Sequence, residues 1–393
     1  MLYCNTMFSF REKHLFSFLD LFEKLQSPLD VCLNRYFRQH KALGANDRRA
    51  IGEVVYSLMR WRGLLDWLSS SPHNWMKRYQ LHASFNPSIY YEQTAIPPHI
   101  RASFPKNLFA MLAQSYGEAQ ALTYCFESNF PAPLTVRINP LKITREELLK
   151  KWQPLYPVAP TTHSPFGIFF KKRMNFHELD EFRKGFFEVQ DEASQLVSAL
   201  IQAKPGQKIL DFCAGAGGKT LAFAHSMKGK GQIYLHDPRD HALRAARGRF
   251  SRAGFQNIQF LNSNELAARA DLFGTMDWVL TDVPCSGTGT LRRNPDLKWK
   301  FNSEMLDRLI QEQRKIVERG LLYLKKDGLL VYATCSLLRE ENDLQLEFFQ
   351  KKWGLSPISP PFRSFPKRGE MDGFFAAVLY TNNLKNRECE PGP

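Results

Sequence analysis

From residue 186 onward the chain alternates apolar, β-branched runs with amphipathic stretches, and this alternation limits the possible folds. The apolar runs indicate buried strands, whereas apolar residues spaced three and four positions apart indicate helices that pack on a sheet. Strands that alternate with helices predict a doubly wound α/β domain with its ligands at the carboxyl ends of the strands. The predicted strands are 208–213, 232–236, 257–261, 277–282, 329–334 and 373–380, and the predicted helices are 239–253, 302–324 and 337–352.

The chain before residue 186 predicts two other kinds of structure. Apolar residues at helical spacing indicate a helical bundle, followed by a further helix from Lys106 to Phe126. Short strand patterns and a helix that begins at Thr144 then indicate a small α+β module. The predicted segments are the helical bundle (1–90), a helical linker (91–132), the α+β module (133–185) and the α/β domain (186–393).

The net charge of +14 is the strongest signal in the composition. A basic surface gains affinity for nucleic acid by releasing condensed counterions, so the charge predicts a polyanionic partner. The alternative is a basic protein without such a partner. In the bundle, basic and aromatic residues are mixed in a way that suits phosphate contact and base stacking, although the aromatic residues would alternatively form the core. The mixture comprises Arg35, Tyr36, Phe37, Arg38, Lys41, Arg48, Arg49, Arg60, Trp61, Arg62 and Trp67.

The sequence contains no apparent targeting or membrane-spanning segment. Charged residues from Arg11 to Lys13 interrupt the apolar N-terminal stretch, and no later run reaches the roughly 18 uncharged apolar residues that a span requires. We therefore expect a cytoplasmic monomer that is not bound to a membrane. The seven cysteines are scattered and contain no C-x-x-C pair, which argues against disulfides and against a metal site.

A glycine-rich turn, DFCAGAGGKT, follows the first predicted strand of the α/β domain. Its glycines permit a tight turn and the close approach of a ligand. The turn resembles a P-loop, but Cys213 stands where that motif requires glycine, which argues against an NTPase. Asp237 ends the second strand, where this fold places the acid that binds ribose hydroxyls, and the alternative is a helix cap ahead of Arg239. These features predict a cofactor that contains a nucleoside.

Two predicted strands end in small polar turns that carry a cysteine, P-C-S at Cys285 and T-C-S at Cys335. If the strands are parallel neighbours, Asp282 and both thiols meet at one edge, because adjacent strands lie about 4.8 Å apart. A lone cysteine at a strand end is more often a small buried apolar residue. Two thiols beside a carboxylate instead suit covalent attack on an electron-poor ring. One thiolate adds to a pyrimidine, the acid stabilises the displaced charge, and the second thiol assists release.

These motifs resemble, in the same order, those of the Nop/Sun family of S-adenosylmethionine-dependent RNA cytosine-5 methyltransferases. The resemblance is carried by DFCAGAGGKT, LTDVPCSGTGTLRRNPDLKW, YATCSLLREEN and MDGFFAA. The segment FRQHKALGANDRRAIGEVVYSLMRWRGLLDWL is similar to the NusB-like domain of bacterial members that modify small-subunit ribosomal RNA. The resemblance implies a Rossmann-like class I methyltransferase domain of the α/β class. An all-α NusB-like domain and a small α+β RNA-recognition-like module would precede it.

The resemblance also implies roles for individual residues. Cys335 would attack carbon-6 of cytosine, Cys285 would help to resolve the covalent intermediate, and Asp282 would hydrogen-bond the base at N3 and the amino group. Lys219 would lie beside the active site. The methyl donor would be S-adenosylmethionine, with RNA as the partner and substrate. The implied cofactor-binding residues are Cys213, Ala214, Gly215, Ala216, Gly217, Gly218, Lys219, Asp237, Asn264 and Asp282.

The sequence departs from the family pattern in two places. Gly215 and Ala216 stand where the family often has Ala-Pro, a change that leaves the backbone permissive. At the end of the third strand, FLNSNE lacks the aspartate that usually meets the adenine amino group. Asn264 or Asn262 would replace it, and because an amide oxygen accepts without charge assistance we expect weaker cofactor binding.

Three functions are compatible with the sequence. The first is an RNA cytosine-5 methyltransferase, with ribosomal RNA favoured by the NusB-like domain. The second is a non-catalytic RNA-binding or ribosome-assembly factor, against which the intact Asp282, Cys285 and Cys335 argue. The third is a methyltransferase for proteins or small molecules, which the basic charge disfavours. Arg292 and Arg293 follow the first cysteine turn, where they would meet a substrate phosphate or would be surface charges.

Overall fold

The computed structural model describes residues 8–69, 74–172 and 174–381. The chain divides into two compact units. The first comprises residues up to Pro131 together with Thr290–Asn302, and the second comprises Ala132–Gly289 and the chain from Ser303 onward. The segment 290–302 lies within the predicted α/β domain along the sequence, yet it packs as part of the first unit.

The first unit is a set of helices around an aromatic-rich core. Tyr36 and Trp61 are both buried in that core, so these two residues have the core role rather than a base-stacking role. Trp67, in contrast, is 52% exposed. The elements are the helices Phe10–Phe22, Leu29–Gln39, Ala45–Leu68, Trp75–His82, Pro98–Arg101, Lys106–Tyr116, Glu118–Glu127 and Leu297–Lys300, with a 3-10 turn at Pro87–Tyr90.

The predicted helix from Lys106 to Phe126 is wrong as a single element, because Gly117 divides it in two. Gly117 has φ 80° and ψ 153°, a combination that is accessible essentially only to glycine. The first helix therefore ends at Tyr116, and the second begins at Glu118. Periodicity of apolar residues alone does not reveal such a break, since the apolar spacing continues across it.

Buried polar contacts hold the segment 290–302 in the first unit. Lys298 is 1% exposed, and its Nζ donates to the backbone oxygen of Arg60 at 2.7 Å and to Oδ1 of Asn129 at 2.5 Å. The indole Nε1 of Trp299 donates to the backbone oxygen of Met59 at 2.7 Å. A buried ammonium group is costly unless it is hydrogen-bonded, so these partners fix the conformation of the segment.

Arg292 lies in the same segment and is buried, with 1% of its surface exposed. Its backbone oxygen accepts a hydrogen bond from Nη2 of Arg60 at 2.9 Å. Neither sequence-based interpretation of Arg292 holds, because a buried guanidinium is neither a surface charge nor open to a phosphate in this structure. The sequence could not reveal this burial, which depends on helices more than 200 residues earlier in the chain.

A four-stranded antiparallel sheet opens the second unit. Its buried face packs on the helix that begins after Thr144. The Thr144 side chain forms a capping box with Glu147 at the start of that helix. The fourth strand lies just after residue 185, where we predicted the module to end. The strands in spatial order are Val158–Pro160, Gly167–Phe170, Leu134–Ile138 and Phe187–Val189, and the helical elements are Arg145–Trp152, Phe176–Glu178 (3-10) and Asp180–Arg183.

An eight-stranded sheet forms the remainder of the second unit as described, and it confirms the predicted Rossmann-like α/β fold. Five strands are mutually parallel, and the strands nearest the C-terminus are antiparallel. Apolar clusters cover both faces. The strands in spatial order are Ile258–Leu261, Gln232–His236, Lys208–Asp211, Met276–Asp282, Leu324–Thr334, Phe374–Thr381 and Leu355–Pro357, with Phe362–Ser364 also paired to Phe374–Thr381.

Helices cover this sheet, and their bounds refine the sequence-based ones. The strand predicted from residue 329 begins at Leu324, directly after the long helix. The helix predicted from 337 begins at Asp343, because a 3-10 turn precedes it. None of the helices within the described ranges is long and apolar enough to cross a membrane. The α-helices are Glu192–Ala199, Gly218–Phe223, Asp240–Ala253, Ser263–Ala267, Ser303–Tyr323 and Asp343–Trp353, and the 3-10 turns are Ala224–Met227, Ala270–Leu272, Thr288–Thr290 and Arg339–Glu341.

The break at Gly117 yields a stability prediction with a matched control in the same unit. Gly117→Ala should lower the free energy of unfolding by about 1–3 kcal/mol, because alanine is strained at this positive φ. Gly52→Ala, inside the helix Ala45–Leu68, should instead raise it by about 0.5–1 kcal/mol, since alanine favours a helix interior. Urea unfolding followed by tryptophan fluorescence measures both effects. If both substitutions change the free energy of unfolding in the same direction, the assigned helix break is contradicted.

Candidate functional site

Two neighbouring parallel strands deliver both cysteine turns to one edge of the sheet. Their register pairs Asp282 with Ala333, so the two turns begin side by side. The Sγ atoms of Cys285 and Cys335 lie 3.3 Å apart. The structure therefore brings the two thiols together at the strand edge that carries Asp282, which is the arrangement that parallel pairing predicted.

The electrostatics of this pair favour a protonated Cys285. The hydrogen bond with Cys335, together with burial and the nearby Glu341, raises the pKa of the Cys285 thiol well above its ordinary value. Cys285 therefore retains its proton at neutral pH. A retained proton allows Cys285 to donate to the sulfur of Cys335.

Lys219 extends from the helix that follows the glycine turn and reaches the same edge. Its Nζ donates to Oδ2 of Asp282 at 2.5 Å. Burial lowers the pKa of Lys219, but the attraction of Asp282, with a smaller contribution from Cys335, outweighs burial and raises it overall. Lys219 is thus a fixed positive charge beside Asp282. The Asp282 side chain remains 30% exposed and is accessible to a ligand.

A cavity of about 790 Å³ lies beside the glycine turn and extends to Pro284, the residue before Cys285. Six of the seven predicted residues of the turn line it. The exception is Gly217, which packs on Phe250: with φ 74°, a Cβ at this position would approach Cε2 of Phe250 to 2.5 Å. Gly217 is therefore required by packing. The predicted residues that line the cavity are Cys213, Ala214, Gly215, Ala216, Gly218, Lys219, Asp237 and Asp282.

Asp237 lines the cavity but is already engaged by protein groups. Its carboxylate accepts from the side chain of Arg239 at 2.8 and 3.0 Å and from the backbone N–H of Gly215 at 2.8 Å. Burial raises the pKa of Asp237, but these hydrogen bonds outweigh it and lower the pKa overall. Asp237 also accepts from the backbone N–H of Arg239, just before the helix Asp240–Ala253. The ionised carboxylate thus orders the turn, and its four hydrogen bonds already occupy the roughly four lone-pair sites of its two oxygens.

The structure does not support the predicted cofactor contact of Asn264. The Asn264 side chain is exposed, and Asn262 instead caps the short helix through the backbone N–H of Glu265 at 3.0 Å. Ser263, between these two asparagines, lines the cavity. The sequence motif located a turn that borders the cavity, but the direction in which each side chain points depends on where the helix begins.

His236 also lines the cavity, and the sequence analysis missed it. Its Nδ1 lies 2.7 Å from the backbone oxygen of Phe212, and its Nε2 lies 3.4 Å from Oγ of Ser263. A carbonyl oxygen only accepts, so Nδ1 carries the proton and Nε2 is an acceptor. Burial lowers the pKa of His236, which keeps the ring neutral. Its position at the end of the second strand, directly before Asp237, was the signal that could have identified it.

Asp211 is a second buried acid that the sequence left without a role. Oγ1 of Thr220 donates to Oδ2 of Asp211 at 2.5 Å, and Asp211 lines the cavity. Burial raises the pKa of Asp211 to about 7. This carboxyl group therefore changes its charge near neutral pH, within the same cavity as Lys219 and Asp282.

Side chains outside the predicted set hold the glycine turn in place. Nε2 of Gln190 donates to the backbone oxygen of Gly218 at 3.2 Å. Nη1 of Arg249 donates to the backbone oxygen of Ala216 at 2.8 Å, while its Nε binds Glu188 at 3.0 Å. Glu188 belongs to the last strand of the small sheet and Gln190 directly follows it. This sheet therefore contributes to the cavity as well as to its own module.

Comparisons with known proteins match most of the chain. A family profile described as "16S rRNA methyltransferase RsmB/F" matches residues 198–380, and one described as "Methyltr_RsmF/B-like, ferredoxin-like domain" matches residues 104–177. A solved methyltransferase homolog protein from Pyrococcus horikoshii superposes with a TM-score of 0.64 and 25% identity. That match covers 76% of this chain and 100% of the solved one.

Two curated relatives extend the match along the chain. The probable ribosomal RNA small subunit methyltransferase B of Synechocystis sp. is 31% identical over 340 residues, which is 80% of this chain and 75% of that protein. The ribosomal RNA small subunit methyltransferase B of Vibrio cholerae is 31% identical over 71% of this chain but over only 65% of its own length. These matches confirm the resemblance that the motifs indicated. Because the Synechocystis relative exceeds 30% identity over three quarters of its length, the chain belongs to the RsmB/F family of 16S ribosomal RNA methyltransferases.

Proposed function

We propose that this chain methylates carbon-5 of cytosine in ribosomal RNA and that Cys335 forms the covalent bond to the base. The observation that carries the proposal is the 3.3 Å separation of the two thiols at an edge that also holds Asp282 and Lys219. Two thiols beside a carboxylate–ammonium pair suit covalent attack on a pyrimidine better than direct methylation of an amine or a hydroxyl group. We expect the protein to meet this substrate in the cytoplasm.

The family depends on S-adenosylmethionine, and the residues around the cavity fit this cofactor. When bound, it supplies an electrophilic methyl group. The volume of about 790 Å³ lies within the roughly 300–1,000 Å³ that is typical of small-molecule sites. Asp237 would accept hydrogen bonds from ribose hydroxyls in place of those from the Arg239 side chain, which is exposed and can be displaced. Ser263 with His236 would face the adenine end. The glycine turn would bring backbone N–H groups close to the amino-acid part.

Cys335 is the proposed nucleophile because the motif resemblance gives it that role, and a hydrogen-bond donor and a positive charge lie beside its sulfur. Cys285 retains its proton and can donate to Cys335 Sγ, and the charged Lys219 lies close enough for the two groups to interact. The thiolate is the reactive form of cysteine. In the proposed step, Cys335 Sγ bonds to carbon-6 and the electrons of the C5–C6 double bond make carbon-5 nucleophilic. The charge displaced to ring N3 would be neutralised by a proton from the Lys219–Asp282 pair, and Asp282 would accept hydrogen bonds from N3–H and the amino group, which stabilises the adduct.

Release must restore the aromatic ring after the methyl group has been transferred. The proton on carbon-5 leaves to a base, the electrons of that C–H bond re-form the double bond, and the bond from carbon-6 to Cys335 breaks. Cys285 lies 3.3 Å from the departing sulfur and can return a proton to it. The distance between the two sulfur atoms is the same in either direction, so the assignment of Cys285 to release and Cys335 to attack follows the roles that the motif resemblance implies.

Removal of the nucleophile should separate catalysis from cofactor binding. Cys335→Ala should reduce methyl transfer to an unmethylated 16S ribosomal RNA transcript by at least about 1,000-fold, because no covalent adduct can form. The dissociation constant for S-adenosylmethionine, measured by calorimetry, should stay within about twofold of wild type. Cys32→Ala, which removes a buried thiol of the first unit, serves as the control. Retained turnover in Cys335→Ala would exclude the assigned nucleophile.

Removal of the second thiol should trap the reaction. Cys285→Ala should accumulate a protein–RNA adduct that survives denaturing electrophoresis, because attack still occurs while release is slowed. The double variant Cys285→Ala with Cys335→Ala should form no such adduct. If Cys285→Ala yields no adduct, or if the double variant still yields one, the division of roles between the two thiols is wrong.

The assignment of Asp237 to the cofactor can be tested without RNA. Asp237→Asn keeps the size of the side chain but removes the charge, so the dissociation constant for S-adenosylmethionine should rise about tenfold, as for the loss of one charge-assisted hydrogen bond. Asp271→Asn provides the control, because Asp271 is an exposed carboxylate that pairs with Arg269. An unchanged dissociation constant for Asp237→Asn would contradict the assignment.

A further inference from the structure

We propose that Glu341 is a positioning residue that locks the two cysteine turns together. The inference rests on the proposed function of the two thiols, since it assigns a residue that sets their separation. Glu341 touches neither the expected base nor the cofactor cavity. Its action would be indirect, through the residues that directly follow Cys285 and Cys335 in the chain.

The carboxylate of Glu341 is fully buried and receives four hydrogen bonds. Ser286 donates twice, through its backbone N–H at 2.9 Å and its Oγ at 2.5 Å. Oγ of Ser336 donates at 2.5 Å, and Nε2 of Gln313 donates at 2.9 Å. These donors come from both cysteine turns and from the long helix Ser303–Tyr323, so one side chain joins three separate elements.

The two serines connect the carboxylate to the thiols. Ser286 follows Cys285 and Ser336 follows Cys335, so a shift of either serine moves the neighbouring sulfur. A second contact joins the two cysteine turns directly, because Oγ1 of Thr288 lies 3.1 Å from Oγ of Ser336. The separation of 3.3 Å between the sulfur atoms therefore depends on side-chain contacts that converge on Glu341.

Glu341 is itself held in a fixed position. Its backbone oxygen accepts from the hydroxyl of Tyr332 at 2.7 Å. The next residue, Asn342, accepts from Oγ1 of Thr334 at 2.6 Å and donates to the backbone oxygen of Ser336 at 2.9 Å. These bonds tie the 3-10 turn Arg339–Glu341 to the end of the strand that carries Cys335. The position of the Glu341 carboxylate is therefore fixed relative to the Cys335 turn, independently of its contacts with the Cys285 turn.

The chemistry of four converging donors explains why this position needs a carboxylate. An ionised carboxyl group accepts at about four lone-pair sites and donates nothing. A glutamine of the same shape would present an N–H₂ group to some of these donors, and buried donors without acceptors are costly. The negative charge has a second effect, since it contributes to the raised pKa of Cys285 and so helps that thiol to keep its proton.

The first test compares the same substitution at two glutamates. Glu341→Gln should lower kcat for methyl transfer to the 16S transcript by about 30-fold or more, because small displacements of reacting groups are costly. KM for the RNA and the dissociation constant for S-adenosylmethionine should stay within about twofold, since neither binding site is touched. Glu347→Gln, on the exposed face of the helix Asp343–Trp353, is the matched control and should keep the wild-type kcat. A wild-type kcat for Glu341→Gln would overturn the proposal.

A second readout reports the thiol separation directly and needs no RNA. Diamide should convert the wild-type Cys285–Cys335 pair to a disulfide quickly, and peptide mass spectrometry can follow the yield. Glu341→Gln should slow this step at least about fivefold, because the turns are no longer held together. An unchanged rate would overturn the positioning role. If the wild-type protein methylates no cytosine in RNA, the proposed function fails, while the disulfide rate still decides the role of Glu341.

A milder variant keeps the test decisive if Glu341→Gln fails to fold. Ser336→Ala removes one of the four donors and leaves the carboxylate satisfied by the others. It should lower kcat by about fivefold and slow disulfide formation to a similar degree, in line with the loss of one restraint. If kcat and the disulfide rate of Ser336→Ala both equal those of the wild-type protein, Glu341 does not position the thiols.

Discussion

The parallel pairing of Met276–Asp282 with Leu324–Thr334 is the constraint on which the site depends. Parallel neighbours end at the same edge, and the register that pairs Asp282 with Ala333 brings the following turns side by side. The chemistry of the site starts from that register, because it brings the two cysteine turns to neighbouring positions, where the sulfur atoms lie 3.3 Å apart. A slip of one residue would point the side chains to the opposite face of the sheet.

The strand pairing brings the two cysteine turns close together, but polar contacts fix the positions of their side chains. Lys219 fixes Asp282 from one side, and Glu341 joins the two turns from the other. The glycine turn is also held from outside itself, by Gln190 and Arg249. In each case a buried polar group has partners from a different element, as burial requires. The two thiols and Asp282 therefore lie at strand ends that are restrained by side chains distant in sequence.

The segment 290–302 illustrates how the two units share one chain. It directly follows the turn that contains Cys285, yet its lysine and tryptophan find their partners among the helices of the first unit. The chain leaves the second unit after Gly289 and returns to it at Ser303. A basic stretch beside a catalytic motif would ordinarily suggest substrate contact. Here Arg292 and Lys298 are buried, and their hydrogen bonds are structural.

The sequence by itself determined the fold class, the strands that end in the cysteine turns and the family, because buried strands, glycine turns and cysteine turns are local patterns. It did not identify the helix break at Gly117, where only the backbone dihedral angles distinguish a break from a continuous helix. The tertiary structure alone decided that Ser263 rather than Asn264 lines the cavity and that His236 shares it. It alone decided that Arg292 is buried and that Glu341 joins both turns. Side-chain direction and long-range hydrogen bonds arise only when distant segments pack, so residue type and spacing do not encode them.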